Sequence, residues 1–130
     1  MKSYTDIEQS KKLAEILPIE SADMHCFVAD SLEKQKINYA IRCGTPIVKT
    51  DIPCWSLVAL MSVFPKEEGS CVSISYGYYD VNGNYVSSWL CCYEKEGEST
   101  DDYIIETIPA DNPVDCCYEM ILKLKEKGLL

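Results

Sequence analysis

Apolar positions return at a changing period along this chain, and each change marks the border of an element. In "YTDIEQSKKLAEILP" Ile7, Leu13, Ala14, Ile16 and Leu17 fall on one broad face of a 3.6-residue period. Thr5 and Glu8 have the spacing of a capping box and Pro18 stops the run, which predicts a helix over about residues 6–16. "PIESADM" reads as a turn. "HCFVAD" and "KINYAIRC" then read as two short strands, rich in β-branched and aromatic residues and separated by the polar "SLEKQ". A connector punctuated by Pro46 and Pro53 leads to "DIPCWSLVALMSVFP". There Trp55, Val58, Ala59, Ser62 and Val63 recur at helical spacing, with Leu57, Leu60, Met61 and Phe64 on the flanks. A helix apolar almost all round is expected to be buried over most of its surface.

The period then drops to two. Val72, Ile74, Tyr76 and Tyr78 fall on one side of a strand, and Asn82–Gly83 suits a tight hairpin turn because both residues tolerate positive φ. After the charged "EKEGEST", the run "DDYIIETIP" supplies another strand. The last segment has Asp111 or Asn112 as cap, Pro113 in the first turn and Asp115 near the positive end of the helix dipole. Val114, Cys117, Tyr118, Ile121 and Leu124 line its inner face, lysines fill its last turns and Gly128 ends it. The predicted order is α-β-β-α-β-β-β-α. This is an α+β fold with an antiparallel β-sheet of about five strands and three helices, in a single globular domain over residues 1–130.

Composition agrees with a packed domain: 47% of the 130 residues are apolar and 25% charged. The longest apolar run, "CWSLVALMSVF", falls short of the roughly 18 residues a bilayer-spanning helix needs. The N-terminus lacks the pattern of a secretion signal, so a cytoplasmic location and no membrane association are expected. Net charge is −9, and residues 66–130 carry thirteen acids against five bases. With Arg42 the only arginine, direct nucleic-acid binding is not expected.

Eight cysteines in a chain with a sufficient core and no export signal read as reduced thiols acting as small apolar fillers. They stand at positions 26, 43, 54, 71, 91, 92, 116 and 117, and no pair is two to four residues apart as a zinc clip would require. No metal and no cofactor are expected. Cys54 is the most interesting thiol for nucleophilic chemistry, because the predicted second helix would begin there and its dipole would favour a thiolate. His25 is the sole histidine available as its base. The plainer reading makes Cys54 a core thiol and His25 structural. No glycine cluster precedes a helix, so nucleotide binding is not expected.

The stretch 76–119 combines Tyr76, Tyr78, Tyr79, Tyr85, Tyr93, Tyr103 and Trp89 with an acidic run that holds nine acids and Lys95 between Glu94 and Glu119. Tyrosine and tryptophan favour binding surfaces, since each offers a large rigid contact with a polar tip. The competing reading places them in the two faces of a sheet. The first expectation is therefore a non-enzymatic accessory protein that binds an unknown protein partner, or itself, through Tyr76, Tyr78, Tyr79, Tyr85, Trp89 and Tyr93. A small thiol-dependent enzyme centred on Cys54, and an acidic decoy of a nucleic-acid-binding protein, are the alternatives.

"YTDIEQSKKLAEILPIESADM", "IPCWSLVALMSVFP" and "DNPVDCCYEMILKLKEKGLL" cover about half the chain and together resemble recurrent blocks of one family. Its members are short proteins without an assigned activity from gut anaerobic bacteria, their phages and mobile elements. The resemblance implies a cytoplasmic origin and a phage or mobile-element setting, and it supplies no catalytic residue. One question stays open: the string "CCYE" occurs at Cys91–Glu94 in a predicted strand and at Cys116–Glu119 in a predicted helix. Whether the two copies pack together, thiol against thiol, cannot be read from spacing.

Overall fold

The computed structural model describes residues 1–29, 38–46, 50–97 and 103–130. It contains two compact units, Ser3–Ser62 and Val63–Leu130, the second including Met1–Lys2.

In the first unit α1 (Ile7–Ala14) is capped by Asp6, whose carboxylate accepts from the Gln9 amide while the Gln9 side chain accepts from the Asp6 amide. The capping box is thus one residue later than the Thr5–Glu8 pairing the sequence suggests. The reason is competition for the Thr5 hydroxyl, which accepts from the Trp55 amide at 3.1 Å and lies 2.7 Å from Ser10 Oγ. Thr5 also donates its own amide to the Trp55 carbonyl at 2.9 Å. A buried amide without a partner costs about 1–3 kcal/mol, so Trp55 outcompetes the helix end for this hydroxyl.

β1 (Met24–Ala29) lies between β2 (Asn38–Cys43) and β3 (Ile52–Cys54), antiparallel to both. β3 departs from expectation, since 52–54 lies within the stretch read as helix. Pro53 disfavours helical dihedrals at Ile52, and its missing N–H is tolerated on an edge strand. Pairing with β1 (Met24 opposite Cys54, His25 opposite Pro53, Cys26 opposite Ile52) then settles the segment as strand. The helix α2 (Leu57–Ser62) begins only after Ser56, whose hydroxyl accepts from the Ala59 amide and donates to the Asp23 carboxylate. It buries Ala59 and Leu60 but leaves Val58 and Met61 exposed, so it is half-buried rather than enclosed.

The second unit is a meander of β4 (Ser70–Tyr79), β5 (Tyr85–Glu96) and β6 (Tyr103–Ala110), covered on one face by α3 (Pro113–Glu126). The expected hairpin forms, but through a five-residue loop in which Gly83 alone takes positive φ, at 79°, and the Asp80 carboxylate accepts from the Asn82 and Asn84 amides. α3 starts at Asn112, which accepts from the Asp115 amide at 2.9 Å. It ends where the Leu129 amide reaches the Leu124 carbonyl and Gly128 adopts φ 71°. Its buried face holds Val114, Cys116, Cys117, Met120, Ile121 and Leu124. Tyr118, expected inward, is only half-buried. The single sheet of about five strands is corrected accordingly. The fold is α+β, with two three-stranded antiparallel sheets and three α-helices among the described residues.

Candidate functional site

The aromatic candidates separate by position along the β4–β5 hairpin. Tyr93 is fully buried opposite Val72 and belongs to the core, a placement its alternation with Cys91 already allowed. Trp89 is half-buried and continues the same strand face. It meets its cross-strand partner Tyr76 edge-on, with ring centroids 5.4 Å apart. Tyr78 is half-buried opposite Val86. Nearest the turn, Tyr79 and Tyr85 face one another across the ladder with centroids 5.5 Å apart and planes at 68°. Tyr79 is 73% exposed and Tyr85 57%, and Val81 in the turn is fully exposed.

A backbone irregularity fixes this end. The register shifts between Tyr76 and Tyr78, so that Ser87 and Ser88 together oppose Gly77, which adopts φ 79°. A Cβ at position 77 would stand 2.1 Å from the Tyr85 hydroxyl oxygen, because the Tyr85 ring fills the space above the bare glycine. The tyrosine covers the exposed glycine backbone and is itself held flat against the strand. A glycine inside a run of alternating apolar residues is the sequence signal for such a bulge.

The acidic run does not present itself uniformly. Glu106 is bound by Lys127 and Asp115 by Lys2, each at 2.7 Å, while Glu94 and Glu96 are exposed on β5. Tyr103 opens β6. Glu98, Asp101 and Asp102 lie outside the described residues.

Cys54 ends β3 and does not begin a helix, so no helix dipole acts on it. It is fully buried and donates to the Ile52 carbonyl at 3.6 Å. Burial raises its thiol above the ordinary value, only partly offset by a hydrogen bond with Ser10. Strand register puts Cys54 on the face of Met24, whereas His25 points to the other, buried face and bonds the Gly44 carbonyl through Nδ1 at 2.9 Å. The two side chains are not brought together.

A different set of thiols is. Cys91 of β5 and Cys116 and Cys117 of α3 are all fully buried where α3 packs on β5. The Cys91 thiol is pushed up to about 12, first by its bond to Cys116 and, against a lowering bond from Cys117, by burial. Cys117 is raised by the bonds to Cys116 and Cys91 and by burial. Bonds from the other two thiols pull Cys116 down, yet its Sγ lies 3.2 Å from the Pro113 carbonyl, to which it donates. A sulfur with its proton directed at a fixed carbonyl is a thiol, not a thiolate, so the cluster is neutral at pH 7. Among the described residues no group of three or more histidine, cysteine or acidic side chains is placed to hold a metal ion. Likewise no described helix is long and apolar enough to cross a membrane.

No protein-family model, curated protein or solved structure matches this chain.

Proposed function

We propose that this protein acts by binding a protein partner, with the turn end of the β4–β5 hairpin as its contact surface. One observation carries the reading: the Tyr79–Tyr85 pair is held edge-on at 5.5 Å by a glycine bulge yet remains largely open to solvent. Two rigid rings, beside a fully exposed Val81, lose little side-chain entropy on contact and bury a large area. Tyr76, edge-on to Trp89 and 57% exposed, extends the same end of the sheet. Tyr78 and Trp89 are half-buried in the same part of the hairpin, whereas Tyr93 is a core residue eight positions along β5 from Tyr85 and is not part of this surface. The likeness of three sequence blocks to proteins of phages and mobile elements fits an accessory role of this kind.

The test is quantitative capture from a host extract with the intact protein and with Tyr79→Ala and Tyr85→Ala. Both variants should keep the native circular dichroism spectrum and lose at least ten-fold in recovery of one specific protein, the loss that removing a hot-spot aromatic brings. Recovery that is the same for all three proteins would refute the assignment.

A further inference from the structure

The structure assigns a disulfide-forming site to the second unit, in which Cys91 of β5 is the obligatory partner of either Cys116 or Cys117 of α3. Three thiols buried in one core, on the facing sides of β5 and α3, are more than filler. A disulfide needs β-carbons about 3.5–4.5 Å apart, so its partners must come from elements packed directly on each other, as β5 and α3 are. Cys91 is placed for this by strand register: it lies between Ile74 and Ile108, on the sheet face that α3 covers. The helix contributes its two sulfurs from adjacent positions on its buried face.

Adjacent helical side chains diverge by about 100°, so Cys116 and Cys117 cannot close on each other without unwinding the turn. Cys92 is excluded as well, because it points to the opposite sheet face beside Glu94, 3.7 Å from that carboxylate. The bond must therefore run from Cys91 to the helix, and either helix thiol can serve.

The oxidant is hydrogen peroxide, a small uncharged molecule. One thiol sulfur attacks a peroxide oxygen, the O–O bond breaks, and a sulfenic acid and one water result. The second thiol then attacks the sulfenic sulfur, the S–S bond forms and a second water leaves. Two thiols are oxidised and one peroxide is reduced. The product ties β5 covalently to α3, and thiol reductants reverse it.

The fully reduced protein is treated with peroxide, quenched with N-ethylmaleimide under denaturing conditions and mapped by peptide mass spectrometry. The expected product has lost two hydrogen masses, links position 91 to position 116 or 117, melts at a higher temperature and reverts with dithiothreitol. Cys116→Ala and Cys117→Ala should each still form the link, and so should Cys92→Ala. Cys91→Ala and the double variant at 116 and 117 should form none. Fragment ions from the wild-type link decide between Cys91 and Cys92 even if Cys91→Ala fails to fold. A link through Cys92, a Cys116–Cys117 bond, or full alkylation of all three thiols after peroxide treatment would each overturn the assignment.

Discussion

Gly77 and Tyr85 show how one residue's backbone sets another's exposure. Gly77 sits at φ 79°, and the Tyr85 ring occupies the space a side chain there would need. Gly77→Ala therefore meets two costs: about 1–2 kcal/mol for a β-carbon in the left-handed region, and a clash with the tyrosine ring. Chemical denaturation should show Gly77→Ala destabilised by roughly 2–3 kcal/mol. Adding Tyr85→Ala should recover the clash part and leave the backbone part, a coupling that a double-mutant cycle reads directly. Strict additivity of the two substitutions would mean that ring and glycine do not interact. From the sequence Val72–Tyr78 reads as one regular strand that passes over Gly77 as a bulge signal, and only the ladder register shows which aromatic lies over the glycine. Thr5 is the converse case. Its spacing to Glu8 is that of a capping box, yet the Trp55 amide, fifty residues away, claims the hydroxyl. Local spacing cannot reveal a partner that distant.

The elements that were legible are those whose start and stop signals are local. α3 carries Asn112, Pro113 and Gly128 at the positions its geometry uses, and the hairpin carries Gly83, whereas the part played by Asp80 was not read. β3 was hidden because a three-residue strand has no period of its own and exists only through pairing with β1. The contact of β5 with α3 was hidden for the same reason. Each CCYE string is ordinary in its own element, and the thiol cluster arises only when the two elements pack. That packing has a pH signature. Cys91 is raised from the ordinary 9.0 to about 12 in the folded chain, and Cys117 is raised as well. Between those values the folded state holds protons that the unfolded state has released, so stability falls as pH rises. The contribution is complete below pH 9 and is lost as pH climbs towards about 12. Denaturation between pH 8 and pH 10.5 should show a decline that is shallower in Cys91→Ala than in wild type. Equal slopes would mean that the Cys91 proton does not contribute.

At the scale of the whole molecule, the order of elements was readable except for β3, and their grouping was not. Among the described residues six strands form two three-stranded ladders, since hydrogen-bond partners are chosen in space rather than along the chain. The aromatic set was legible as a cluster by composition, but alternation and register divide it into buried Tyr93, half-buried Tyr78 and Trp89, and exposed Tyr76, Tyr79 and Tyr85. Cys54 attracted attention through a helix start that the folded chain places later, beyond Ser56. What remains distinctive is a hairpin end whose aromatic surface is rigid and open. The most direct measurement is site-specific photo-crosslinking in the native host, with a photoreactive residue replacing Tyr79 and, as a control, Val58, which is 72% exposed in the other unit. Binding through the hairpin end requires one discrete protein adduct from position 79 and none from position 58. No adduct at 79, or the same adducts from both positions, would contradict it.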